Sequence, residues 1–100
     1  MRMLLKKDPK FDEFFDGIKD EVTKGKITAR ITRLMLGNPG KSEGVGEGVV
    51  ELKIDYGPGW RIYYIKFGDQ IIVLLGGGSK KQQQSDIDDA IDRAKRYKKK

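Results

Sequence analysis

Val49-Val50-Glu51-Leu52-Lys53-Ile54-Asp55-Tyr56-Gly57-Pro58-Gly59-Trp60-Arg61-Ile62-Tyr63-Tyr64-Ile65-Lys66-Phe67 is the stretch that decides the fold. Val50, Leu52, Ile54 and Tyr56 alternate with Val49, Glu51, Lys53 and Asp55, the period of a half-buried strand. Gly57-Pro58-Gly59 is a turn, and Trp60 to Phe67 is the returning strand of a hairpin. Pairing Tyr56 with Trp60 across that turn sets Ile54 opposite Ile62 and Leu52 opposite Tyr64. Those six side chains then share the face that packs on helices, and the other face carries Glu51, Lys53, Asp55, Arg61, Tyr63 and Ile65.

Working downstream, Gly68-Asp69 is a second tight turn. Gln70 to Leu75 is a strand whose unbroken apolar run places it centrally in the sheet. Gly76-Gly77-Gly78-Ser79 is expected to break the sheet. Ser85 with Asp88 approximates a capping box, and Ile87, Ala90, Ile91 and Ala94 mark a helix ending in Lys98-Lys99-Lys100. Upstream, the glycine-rich segment Lys41 to Gly48 reads as a loop. Gly37-Asn38-Pro39-Gly40 stops a helix whose stripe is Ile27, Ile31, Leu34 and Met35, with Thr23 as its cap. Asp8-Pro9 opens an earlier helix, because proline's missing N–H costs nothing at the first helical position. Its stripe is Phe11, Phe14, Phe15, Ile18 and Val22, and residues 2–6 form a short edge strand before it. The order is β-α-α-β-β-β-α. This is an α+β fold over a single domain, residues 1–100, with a mainly antiparallel four-stranded sheet and two N-terminal helices packed on one face.

The 100 residues carry a net charge of +6, with no cysteine and no histidine. Disulfide and thiolate chemistry are excluded, and zinc loses its usual ligands. No dedicated metal site or small-molecule cofactor site is expected. The apolar stretch after Met1 is too short for a signal peptide, and Ile71 to Leu75 cannot span a bilayer, so a cytoplasmic location without membrane attachment is expected. Residues 80–100 hold eight basic and four acidic side chains, a net of +4, whereas residues 41–79 hold four and five, a net of −1. A positive excess placed at the chain's ends favours an anionic partner.

On the sheet face away from the helices, Lys53 and Arg61 project together, and Lys80 and Lys81 leave the neighbouring strand close by. Such a cation cluster beside Tyr63 suits a polyanion, with phosphates on the cations and a base on the ring. Lys66, further along the same strand, is a further RNA-contact candidate. Ordinary ion pairing, of Asp55 with Arg61 across the strands and of Glu51 with Lys53 as near neighbours on one face, accounts for the same charges at roughly 0.2–1 kcal/mol per pair. Gly76 to Lys80 lacks the spacing of a phosphate loop. No Ser/His/Asp, Cys/His or paired-carboxylate arrangement stands out.

The segment Phe11-Asp12-Glu13-Phe14-Phe15-Asp16-Gly17-Ile18-Lys19-Asp20 resembles the opening helix of toxins in the RelE/ParE superfamily, above all the HigB-like addiction-module killer proteins. The resemblance continues through Leu36-Gly37-Asn38-Pro39-Gly40, then Gly46 to Tyr64, then Leu74 to Ile87, and covers nearly the whole chain. It implies the toxin of a bacterial type II toxin–antitoxin system that inhibits translation by ribosome-dependent mRNA cleavage. Such an mRNA interferase is a metal-independent endoribonuclease. Carried onto this chain, Arg61 matches the family's phosphate-binding strand arginine, Lys53 a basic residue on the preceding strand, and Lys80 or Lys81 the one after the last strand. Their role would be to stabilise charge on the phosphate as the RNA 2′-OH attacks it. The implied partners are mRNA on the ribosome and a cognate antitoxin, typically of helix-turn-helix type. The family's C-terminal tyrosine or histidine is replaced here by Gln84-Ser85-Asp86-Ile87, so a lysine or Glu51 would have to serve as base, or the ribosome would have to supply most of the positioning. The same fold also serves ParE-like proteins, which inhibit DNA gyrase without enzymatic activity; the missing proton carrier speaks for that alternative, but the HigB-like segments speak more strongly for RNA cleavage. A non-toxic binding module is the third possibility.

Overall fold

The chain runs β1 (Leu4–Lys7), α1 (Pro9–Asp16), α2 (Glu21–Met35), β2 (Ser42–Gly46), β3 (Val49–Ile54), β4 (Trp60–Phe67), β5 (Ile71–Ser79) and α3 (Gln83–Lys98). A 3-10 turn, Lys80–Gln82, leads into α3. The computed structural model describes residues 3–99. Arg2 of the expected edge strand and Lys100 of the basic tail lie outside the described residues. The strands form one sheet in the order β1-β5-β4-β3-β2, with β1 parallel to β5 and all other pairs antiparallel.

The α+β class is as expected, but the sheet has five strands where four were expected. The extra one is β2, drawn from the segment expected to be a loop. Val45 is its sole apolar side chain, so it carries no alternating pattern; an edge strand with little to bury needs none. Gly46, Glu47 and Gly48 take φ of 120°, 55° and 85°, which turns β2 back into β3. The glycine run also departs from expectation. β5 continues through Gly76, Gly77 and Gly78 to Ser79. A Cβ on Gly77 would lie 2.5 Å from the Phe14 ring, and one on Gly76 or Gly78 would collide with Arg93 or Asp86. The glycines therefore let α1 and α3 close on the strand from its two sides.

The hairpin register is slipped by two residues from the expected one. Ile54 pairs with Trp60, Lys53 with Arg61 and Leu52 with Ile62. The connecting loop is thus Asp55 to Gly59. An even slip keeps every side chain on its face. Leu52, Ile54, Ile62, Tyr64, Ile72 and Leu74 accordingly form one core with Phe11, Ile27 and Leu34 of the N-terminal helices. The opposite face is not open. Val49, Tyr63, Ile65, Val73 and Leu75 form a second core with Ala90 and Ala94 of α3. The sheet lies between α1/α2 on one face and α3 on the other.

The helix starts are set by carboxylates. Asp8 accepts from the Lys10 N–H at 2.9 Å with Pro9 in the first turn. α1 stops at Gly17, shorter than its stripe implied, and Val22 falls in α2 at 54% exposure. Asp20, not Thr23, caps α2: it accepts from the Val22 and Thr23 N–H groups, and the Thr23 hydroxyl donates to it at 2.7 Å. In α3, Ser85 lies inside the helix and forms no capping box, because the 3-10 turn begins the coil earlier. Buried Arg30 ties α2 to the sheet through three carbonyls, those of Lys53 at 2.6 Å and of Pro39 and Lys41 at 2.9 Å. Among the described residues, no helix is long and apolar enough to cross a membrane.

Candidate functional site

The two connections at one end of the sheet meet. The loop from β3 to β4 and the exit of β5 lie side by side, because Trp60 pairs with Ser79 and the Lys80 N–H donates to the Gly59 carbonyl at 2.7 Å. Between them is a shallow cavity of about 320 Å³ lined by Asp55, Tyr56, Gly57, Pro58, Gly59, Arg61 and Lys80. Gly59 has φ of 80°, and a Cβ there would stand 3.3 Å from the Lys80 Cβ and 3.7 Å from an Arg61 nitrogen. A side chain at that position would be strained and would wall off the guanidinium.

The sequence-derived candidates separate on this frame. Arg61 and Lys80 come together in the cavity. Lys53 is the cross-strand neighbour of Arg61, but its ammonium contacts Glu43 of β2 at 2.5 Å. That contact holds the Glu43 carboxyl below its ordinary range, chiefly by hydrogen bonding. Lys81 is exposed on the 3-10 turn and does not line the cavity. Lys66 sits at the far end of β4, where it pairs with Asp69 at 3.7 Å; alternation puts it on the sheet face opposite Arg61. Tyr63 offers no ring to a base. It is fully buried under α3, and its phenol donates to Glu51 at 3.1 Å. Burial pushes the phenol's pKa up, and the neighbouring Glu51 carboxylate adds to the effect.

Both ion pairings expected of the hairpin give way to others. Asp55 has left the sheet and meets Lys41 at 2.6 Å. Its carboxyl is held below the ordinary range, first by the Lys41 hydrogen bond and then by the charges of Lys41, Arg61 and Lys80. Glu51 does not pair with Lys53. It is buried, accepts from Tyr63 and from the Gln83 amide at 2.8 Å, and lies 3.9 Å from Arg61 Nε. It does not line the cavity, so it is not placed to take a proton from a substrate there. It holds Arg61 by charge from behind.

Arg61 spends one nitrogen on the Trp60 carbonyl at 3.2 Å. Its Nε lies 3.9 Å from the buried Glu51 carboxylate, an ion-pair distance too long for a hydrogen bond, and the Gly59 turn flanks the nitrogen that meets Trp60. A guanidinium and an ammonium around one small opening can hold an anion such as a phosphodiester. Asp55 and Tyr56 are the residues of this site that sequence reasoning missed. The signal was available in Asp55-Tyr56-Gly57-Pro58-Gly59, whose glycines and proline resist strand pairing and favour a longer loop. Among the described residues no group of three His, Cys, Asp or Glu side chains is arranged to hold a metal ion.

The architecture is that of a solved toxin. The structure of the Escherichia coli toxin RelE, a double arginine-to-alanine mutant in the free state, superposes with a TM-score of 0.74 over 93% of this chain and 98% of that one, at 11% sequence identity. The chain therefore has the RelE fold. In sequence, it is 39% identical over 74 residues to an uncharacterized protein of Haemophilus influenzae, a match spanning 74% of this chain and 75% of that protein. It belongs to the family of that Haemophilus protein. No family model matches the sequence.

Proposed function

We propose that the chain is the toxin of a type II toxin–antitoxin module, and that it inhibits translation by cleaving mRNA on the ribosome. The observation that carries this reading is the joint lining of one open cavity by Arg61 and Lys80 at the end of a RelE-like sheet. In the proposed step the RNA 2′-oxygen bonds to the adjacent phosphorus as the bond to the 5′-oxygen breaks. Arg61 and Lys80 stabilise the charge gathered on the phosphate oxygens. The 2′-proton passes to the ionised Asp55 carboxylate, the leaving 5′-oxygen takes a proton from water, and Asp55 returns its proton to the hydroxide so formed. A carboxyl held below its ordinary range is a weak base. The chemistry therefore depends on positioning of the RNA, which the ribosome supplies. Lys53 supports the site from the neighbouring strand, and Lys81 and Lys66 contribute long-range positive potential. A cognate antitoxin, encoded beside the toxin as a small helix-turn-helix protein, neutralises it in the cytoplasm.

Expression of the wild type in bacteria should arrest growth and create new mRNA 5′ ends, and Arg61→Ala should abolish both. Equal toxicity of the two proteins with no new 5′ ends refutes the reading. One observation favours a second reading, ParE-like inhibition of gyrase without catalysis: the Arg61 side chain is only 7% exposed. Induction of the DNA-damage response while translation continues would select it.

A further inference from the structure

The cavity at Arg61 and Lys80 is not isolated. A second cavity, of about 290 Å³, adjoins it and is lined by Lys26, Ala29, Arg30 and Arg33 of α2 together with Ile54, Asp55 and Tyr56. The two share Asp55 and Tyr56 as their common wall. Tyr56 is 37% exposed, among the few large apolar side chains left open to solvent. The Lys26 ammonium stands 4.7 Å from the centre of its ring. Arg30 is spent on three backbone carbonyls, but Lys26 and Arg33 are both exposed. Seven residues apart, they share one helix face about 10 Å from each other along the axis. The shared wall's one carboxylate, Asp55, is neutralised by Lys41.

We propose that Tyr56 is a base-stacking platform and that Lys26 and Arg33 form a second phosphate-binding track. A single-stranded RNA would then run from the Arg61/Lys80 cavity across Tyr56 onto α2. This inference rests on the RNA-cleaving reading and extends its site. A base laid on the Tyr56 ring takes the place of the Lys26 ammonium, which is then free to meet the adjoining phosphate. Alternating cations and an aromatic face are the elements with which sequence-tolerant single-strand sites are built. An acidic protein segment would use the cations but gain nothing specific from a flat ring, so RNA is the occupant the surface fits better.

Fluorescence anisotropy with a labelled ten-nucleotide single-stranded RNA of mixed sequence, titrated with the full chain at several salt concentrations, tests this. Tyr56→Ala should raise Kd roughly tenfold with an unchanged salt slope, and Tyr56→Phe should restore it. Lys26→Gln with Arg33→Gln should lower the slope of log K against log salt by about 1.4, for two lost phosphates. An Arg61→Gln/Lys80→Gln protein is the arm that reports on the first cavity. If it loses binding while the Tyr56 and α2 variants bind like the wild type, the inference falls and the reading of the first cavity stands. If the Arg61/Lys80 protein binds like the wild type, the first cavity holds no RNA, and the reading falls together with the continuous track that starts from it. No binding by the wild type removes both.

Discussion

Removing the carboxylate of Glu51 should loosen α3 and the strand arginine together. Glu51 is fully buried, with Oε2 accepting from Tyr63 at 3.1 Å and from Gln83 at 2.8 Å, and 3.9 Å from Arg61 Nε. Glu51→Ala leaves Arg61, itself 5% exposed, without a countercharge. Breaking a buried pair from one side costs about 3–5 kcal/mol. Against that, deleting the carboxylate removes its own desolvation cost, about 1 kcal/mol because two donors already satisfy it. The net loss should be about 2–4 kcal/mol. Glu51→Gln keeps the shape and one acceptor oxygen for Tyr63 and Gln83 while losing the charge and turning the second oxygen into a donor, so it should cost about half as much. With a urea m-value of about 2 kcal/mol/M, the alanine variant should unfold about 1–2 M earlier. The chain's one tryptophan, Trp60, packs at 5.9 Å on Phe14 and reports the transition by its fluorescence. Both variants unfolding within about 0.5 kcal/mol of the wild type, at unchanged m, would refute the claim that this cluster holds α3 on the sheet.

Further outcomes follow from packing and titration. Gly77→Ala should destabilise by about 1–3 kcal/mol, because its Cβ meets the Phe14 ring at 2.5 Å and the Arg61 carbonyl at 2.8 Å; Gly25→Ala, with nothing within 4 Å, should stabilise by up to about 1 kcal/mol in the same urea assay. Asp8 caps α1 and also accepts from the Tyr97 hydroxyl at 2.6 Å, so a double-mutant cycle of Asp8→Ala and Tyr97→Phe should show a coupling of about 1 kcal/mol. Burial, followed by the bond to Asp8, pushes the Tyr97 phenol up to about 12. A pKa raised on folding means a contribution fully present below the ordinary tyrosine value near 10 and lost as pH climbs through about 12. Tyr63 and Tyr64 are raised as well, so absorbance titration should show several late phenols, of which Tyr97→Phe removes the one near pH 12; ionisation of all titrating tyrosines near pH 10 would contradict it.

Much of this is legible from period and turn chemistry alone. Alternation fixes β3 and β4, and because the register slip is even, the Leu52/Ile62 face is the same under either pairing. Three features escape for separate reasons. β2 has almost nothing to bury, and an edge strand without an apolar face leaves no periodic trace. The glycine run looks like a breaker because its use, clearance for Phe14, Arg93 and Asp86, is set by residues distant in sequence. α3 is recognisable as a helix, but its small stripe of Ala90 and Ala94 does not say which sheet face it covers. That last gap decides the site. With α3 in place, Tyr63 and Glu51 belong to the core, and the aromatic ring open to a ligand is in the loop, at Tyr56.

The pair that shares the cavity, Arg61 and Lys80, owes its position to topology more than to either residue's own surroundings. β4 runs antiparallel to both β3 and β5, so the entry to β4 and the exit from β5 must fall at the same end of the sheet. Lys80 follows β5 and Arg61 lies at the start of β4, and the hydrogen bond from Lys80 N–H to Gly59 locks the two connections together. The same short turn then sends Gln83 back onto Glu51, the carboxylate behind Arg61. One short stretch, Lys80 to Gln83, thus supplies a cation to the cavity and fixes the countercharge of the other. The α3 N-terminus and the cationic site are for that reason coupled through Glu51, and a lesion in either should be read in both.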